Sequence, residues 1–248
     1  MTRNRDSKAG LNVVSLFTGA GGLDIGFKEV GFECIFATDI MPQAESTYKI
    51  NFPETMFLRK DIRLFTKDEI RKLIGSKPVD AVVGGPPCQG FSNMGNKNSA
   101  DPRNYLFENY VKIVDAIQPK CFLFENVKGF LTMFEGRFFE KVVNSFLEIG
   151  YDIYYYLIDS SKYGVPQKRE RLIVFGTKIK RHFKFPRPEK KSFGKIHSYL
   201  NVGDAINDLA NHVRNVPNHV SLNHNDIVVR RYKLIPEGGK LPKPADLP

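Results

Sequence analysis

Residues 11–27, LNVVSLFTGAGGLDIGF, decide the architecture. The first seven are mostly apolar and read as a buried strand. Gly19, Gly21 and Gly22 follow, and residues without a Cβ permit a tight turn and close backbone approach to a ligand. GLDIGFKEVG then reads as a helix closed by Gly31. A strand passing through a glycine turn into a helix puts a positive helix N-terminus at the strand's carboxyl end. That is the opening unit of a ligand-binding α/β sheet.

Outward from it, strands and helices alternate. ECIFATD (33–39) and MFLRKD (56–61) read as strands, with helical AESTYKINF (44–52) between them. Helical KDEIRKLIG (67–75) precedes the strand VDAVVGG (79–85), which Pro86 and Pro87 stop. A polar loop leads to a helix over roughly residues 105–117 and the strand CFLFENV (121–127). Phe138, Phe139, Val142, Val143, Phe146 and Leu147 form a helical stripe. DIYYYLID (152–159) and RLIVFGT (171–177) close the series as strands. The pattern predicts a doubly wound, mostly parallel α/β sheet of Rossmann-like type, with its ligand site at the carboxyl ends of the strands. This domain is expected over residues 11–185, after a polar tail (1–10). Residues 186–248 read as a basic, proline-containing extension. It holds one short helix at VGDAINDL and ends in a loop or extended arm, IPEGGKLPKPADLP.

The composition narrows the partners. Lys and Arg total 37 against 27 acids, a net charge of +10 that suits a polyanion, nucleic acid above all. Three cysteines without regular spacing give neither a disulfide framework nor a zinc site. The five histidines include no His-x-x-x-His pair, so no metal is expected. Neither an apolar signal region nor a membrane-length run is visible, and a cytoplasmic protein is expected.

Two rim sites carry chemistry. Asp24 stands where a dinucleotide fingerprint has its third glycine, and a carboxylate there repels a pyrophosphate. It could instead accept hydrogen bonds from an ammonium group or from water. Asp39 ends the second strand near the usual spacing for a ribose-binding acid, and Asp61 ends the third. One hydroxyl pair and one amine edge on a positively charged cofactor suit this set, as in S-adenosylmethionine; the plainer reading is that Asp24 and Asp39 cap helices. The second site follows the fourth strand in GGPPCQGFS (84–92). Cys88 lies just past two prolines on the same rim, where free backbone N–H groups can lower a thiol pKa and suit it as a nucleophile. Cys34 and Cys121, within apolar strands, read as core. The next strand brings Glu125 and Asn126 to the rim, and burial after four apolar residues should raise the Glu125 pKa. QKRERL adds Lys168, Arg169 and Arg171, the two arginines pointing the same way. Charge protecting an edge strand is the alternative there.

The ordered blocks SLFTGAGGLDIGF, ATD, KDIR, GGPPCQGFS, FENV and QKRERLIVFG resemble the cytosine-C5 DNA methyltransferase family over residues 11–177. The resemblance implies an S-adenosylmethionine site at Phe17, Gly19, Gly21, Gly22, Leu23, Asp39, Ile40, Asp61, Ile62, Pro86 and Leu106. Phe17 should stack near the adenine, Asp39 hold the ribose hydroxyls, and Asp61 and Ile62 contact the adenine edge. Cys88 should attack C6 of a flipped-out cytosine in duplex DNA, with Glu125 at N3 and the exocyclic amine. Arg171 should hold the O2 edge, with Arg169 near the catalytic loop. Gln89, Ser92, Arg103 and Asn126 should lie against the DNA. The family's target-recognition region and its last two blocks, including the Gly-Asn block that completes the cofactor site, find no match. The sequence therefore looks like the large subunit of a two-chain member whose partner supplies them. A transfer-RNA cytosine methyltransferase and a non-catalytic nucleic-acid scaffold are the rivals.

Overall fold

The computed structural model describes residues 10–87, 105–188, 200–210, 219 and 222–241. Its strands are β1 (Leu11–Leu16), β2 (Phe32–Asp39), β3 (Met56–Arg59), β4 (Ala81–Gly84), β5 (Cys121–Val127), β6 (Asp152–Asp159) and β7 (Glu170–Thr177). They form one sheet in the order β3-β2-β1-β4-β5-β7-β6. Helices α1 (Gly22–Glu29), α2 (Pro42–Asn51), α3 (Lys67–Ile74), α4 (Leu106–Ile117) and α5 (Arg137–Glu148) connect them. This is the doubly wound α/β architecture expected.

The first five strands in the order pair in parallel; β7 is antiparallel to both β5 and β6. The physical reason lies between β6 and β7, where residues 160–169 are too few for a crossover helix. Antiparallel β7 therefore begins, rather than ends, at the rim formed by the carboxyl ends of the others.

β1 and β4 read as continuous apolar runs because both faces are covered. Val14, Leu16 and Val82 join the core beneath α4 and α5. Val13, Ala81 and Val83 face the opposite way, against Leu23 and Phe27 of α1. The larger core is aromatic: Phe122 stacks on Phe146 at 4.0 Å, and the Tyr110 ring meets Phe124 edge-on at 5.6 Å. The Tyr110 hydroxyl, fully buried, donates to the carbonyls of Val82 and Leu123 and so ties β4 to β5. Cys34 and Cys121 sit largely buried, and burial pushes their thiols to about 12 and about 11. Neither is a nucleophile at neutral pH.

One irregularity sets the rim. The β1–β2 register shifts between Val13, opposite Cys34, and Val14, opposite Phe36, so Ile35 is an extra residue. Beyond this bulge Leu16 stands opposite Thr38, and Thr18 N–H reaches the Thr38 carbonyl at 3.1 Å.

After β7 the chain doubles back over β6 and β7. Phe183 packs on Phe175 and Tyr154, then Phe185 on Tyr156 and Tyr163, and Tyr163 OH donates to the Pro186 carbonyl. These partners advance from mid-strand to the rim end of β6.

Two compact units divide the chain, Met1–Tyr199 and Leu200–Pro248. The second contains α6 (Val202–Ala210), over the expected VGDAINDL, and α7 (Asp226–Lys233). Nothing in the sequence reading anticipated α7. Its signal is Asn225, which caps the helix by accepting from Val228 N–H at 3.0 Å. Among the described residues no helix is long and apolar enough to cross a membrane.

Candidate active site

The glycine turn sits at the carboxyl end of β1. Phe17 adopts a left-handed backbone, φ 52°, with its side chain half-buried. Gly21, φ 89°, has no room for a side chain, since a Cβ would lie 2.4 Å from the Phe52 ring. A Cβ on Gly19 or Gly22 would meet nothing within 4 Å, so the turn is open on the rim side. Asp39 spans two elements: one carboxylate oxygen accepts from Gly19 N–H and the other from Met41 N–H, each at 2.9 Å. It thus fixes the turn and the entry to α2 together.

Several expected cofactor contacts stand elsewhere. Asp61 lies two residues beyond β3 and caps the short 3-10 turn Ile62–Leu64 by accepting from Arg63 N–H. Hydrogen bonding to the Arg63 guanidinium holds its carboxyl below the usual range. The Ile62 side chain is packed into the main core. Leu23 faces the sheet rather than the turn. Ile40 is exposed, Pro86 is buried, and half-buried Leu106 opens α4. Asp24 is 2 % exposed and accepts three hydroxyl hydrogen bonds from within the fold. Where the sequence allowed an ammonium group or water as its donor, three internal hydroxyls occupy the carboxylate.

At the neighbouring strand ends the chemistry is denser. Glu125 is half-buried on β5 and pairs with Arg171 of β7, Nε to Oε1 at 2.9 Å. Antiparallel pairing sets Val127 opposite Arg171, which makes Glu125 and Arg171 diagonal neighbours. Burial pushes the Glu125 carboxyl above its ordinary value; Arg171, and Arg169 beyond it, pull it back only in part. Arg169 immediately precedes β7, its backbone held by Asp159 and Ser160. Of the two arginines, Arg171 makes the direct ion pair with Glu125.

The other face of Glu125 lies over Gly85. A Cβ on Gly85 would stand 2.8 Å from Glu125 Oε2. The buried Asn126 amide donates to the Pro86 carbonyl at 3.1 Å and accepts from Val127 N–H. Asn126, expected against DNA, is turned inward and ties the end of β5 to the Pro-Pro turn. Cys88, Gln89, Ser92 and Arg103 lie outside the described residues, but the chain enters Cys88 from a turn braced by these contacts. The sequence reading passed over Gly85 and the positioning use of Asn126; the doubled glycine before Pro86 is the signal for the first.

Gly85→Ala is expected to lower turnover at the Glu125 site about a hundredfold while changing the melting temperature little. The added methyl displaces either Glu125 or the turn, and angstrom-scale misplacement of reacting groups costs rates of that order. Steady-state kinetics beside a thermal melt checks it; wild-type rates would mean the Glu125–Gly85 contact has no role.

A cavity of about 670 Å3 lies at the opposite end of the strands, lined by Asn12, Phe32, Glu33, Met56 and Lys77 among others. It includes none of Phe17, Asp39 or Glu125.

The fold is the Rossmann-like methyltransferase fold. The family of C-5 cytosine-specific DNA methylases matches residues 11–242, and the chain belongs to it. It is 34% identical over 236 residues to the type II methyltransferase M1.HphI of Haemophilus parahaemolyticus, covering 92% of this chain and 62% of that relative. With M.XorII of Xanthomonas oryzae it shares 39% identity over 200 residues, covering 79% of this chain and 46% of the relative. The chain thus spans about half to two-thirds of these two relatives. With M.AquIA of Picosynechococcus, 34% identical over 218 residues, it covers 88% of the relative and 79% of this chain. A prophage-encoded E. coli protein described as a DNA modification methyltransferase superposes with a TM-score of 0.67 at 32% identity, over 79% of this chain and 54% of that one.

Proposed function

We propose that this chain is the catalytic subunit of a two-chain DNA cytosine-C5 methyltransferase that uses S-adenosylmethionine. One observation carries the chemistry: Glu125 is half-buried, paired with Arg171 and laid over Gly85, three residues before Cys88. The family membership and the net charge of +10 support duplex DNA as the substrate.

The residues at the glycine turn fit the cofactor. The turn is open beside Gly19 and Gly22, half-buried Phe17 offers a ring, and the Asp39 carboxylate stands at the end of β2. When bound there, S-adenosylmethionine supplies an electrophilic methyl group. Cys88 supplies the nucleophile. A target base must leave the stack to meet it. The Cys88 thiolate adds to C6, and the C5–C6 π electrons become available at C5. Glu125, its carboxyl pushed upward by burial, would supply a proton or hydrogen bond at N3 and so favour the addition. Arg171 orients Glu125 and meets the O2 edge of the base. After methyl transfer, loss of the C5 proton returns electrons to the C5–C6 bond and expels Cys88.

The two-chain reading rests on a contrast. The chain covers 88% of M.AquIA but 62% and 46% of M1.HphI and M.XorII. Residues 11–185 would be the catalytic domain and 186–248 the start of a recognition region or a subunit interface.

The test is labelled-methyl transfer to duplex DNA and to transfer RNA, with the chain alone and with the product of the adjacent reading frame. Transfer to duplex DNA by the pair, and none by the chain alone, is the expected result. Full sequence-specific activity from the chain alone overturns the two-chain reading; preference for transfer RNA overturns the substrate.

A further inference from the structure

Asp24 is a buried acid that the proposed mechanism does not use. Ser15 Oγ and Thr18 Oγ1 both donate to Asp24 Oδ2 at 2.8 Å, and Tyr48 OH donates to Oδ1 at 2.8 Å. The three hydroxyls come from β1, the glycine turn and α2. Burial, together with the nearby Cys34 and Asp24, pushes the Tyr48 phenol well above its ordinary value, so it stays a donor. The Tyr48 ring also lies 3.1 Å from where a Gly21 Cβ would stand.

The placement of these donors matters more than their number. Ser15 lies two residues before Phe17 and Thr18 one residue after it. Phe17 holds a left-handed backbone, a costly state for a residue with a Cβ, which persists only where its surroundings impose it. Anchoring both flanks to one carboxylate oxygen imposes it. Asp39 holds Gly19 N–H from the rim side, so two carboxylates fix the turn from opposite sides.

We infer that Asp24 is a positioning residue for cofactor binding, which sets the turn conformation and the pose of Phe17 from beneath without touching the cofactor. The inference rests on the reading of this turn as the S-adenosylmethionine site.

Calorimetric titration of S-adenosylmethionine into the full chain, with its partner present, tests it. Thr18→Val keeps the shape of the side chain and removes one donor beside Phe17; the dissociation constant is expected to rise about tenfold. Thr18→Ser keeps the hydroxyl and should bind as wild type. Asp24→Asn should weaken binding further, because an amide has a single acceptor oxygen for three donors. Asp80→Asn is the stability control. Asp80 is buried at the other end of the sheet, where it accepts from Asn12 N–H and Lys120. That variant should lower the melting temperature and leave the dissociation constant unchanged. If Thr18→Val binds as wild type, or if Asp80→Asn weakens binding in equal proportion to lost melting temperature, Asp24 has only a structural role. Phe17→Ala separates the two levels. Unchanged binding by that variant shows that the turn is not the cofactor site, and the reading falls with the inference; weakened binding with Thr18→Val unaffected removes the inference alone.

Discussion

Under the proposed function, a Cys88→Ser variant assayed with the proposed second chain is expected to transfer methyl groups to duplex DNA at under about a thousandth of the wild-type rate, with unchanged cofactor affinity. A thiol is partly ionised near neutral pH and is a strong nucleophile once ionised; a serine hydroxyl needs an adjacent base. The described rim offers none. Glu125 is already paired with Arg171. All five histidines lie after β7, from residue 182 onward. The cofactor turn belongs to a different strand end, between β1 and α1, so its affinity should not move. Labelled-methyl assays paired with calorimetry decide the matter. Activity within tenfold of wild type would remove the covalent step from the mechanism.

Gly176→Ala is expected to destabilise the fold by about 3 kcal/mol or more, the upper part of the range for overpacked cores. A Cβ on Gly176 would stand 2.0 Å from one carbon of the Phe122 ring and 2.3 Å from another. The ring cannot retreat. Phe122 is fully buried, stacked on Phe146 at 4.0 Å and met edge-on by Tyr151 at 5.2 Å. Denaturant unfolding measures the loss. Gly129→Ala is the matched comparison, since its Cβ would meet nothing within 4 Å, and a change within about 0.5 kcal/mol is expected there. Equal midpoints for the two variants would mean that the aromatic core yields.

Both predictions draw on parts of the molecule that differ in how openly the sequence announces them. β1, β2, β4 and β5 are legible because their apolar runs stop at a glycine turn, Asp39, Gly84 and Glu125, and in β1 and β4 burial on both faces leaves no competing period. Glu125 is legible for a related reason: an acid after CFLF can only stand at a strand end or be buried at a cost. The direction of β7 is less so, because it depends on the shortness of the preceding connection and not on the composition of the strand. Asp24 is misread from sequence. The spacing rightly disfavours a dinucleotide, but the donor that turns its carboxylate inward, Tyr48, comes from α2 and meets it only in the folded chain. Ile62 and Asn126 have internal contacts that the sequence also leaves unannounced. Each belongs to a motif at the rim, yet each side chain points into the protein. Helix α7 escapes because its apolar residues Ile227, Val228 and Val229 are consecutive and make no helical stripe.

The return of the chain over β6 and β7 bears on how such enzymes are assembled. Antiparallel β7 ends at the far edge of the sheet, where anything appended directly would begin its path away from the bound base. Phe183 and Phe185 carry the chain back along the strands until Pro186 is hydrogen-bonded beside Tyr163, at the edge where Glu125 and Arg171 stand. The junction is thus moored at the substrate side by aromatic packing and one hydrogen bond, all of them within the catalytic domain. In the proposed two-chain enzyme, a reader of DNA sequence can be lengthened, exchanged or donated by another polypeptide without altering the sheet.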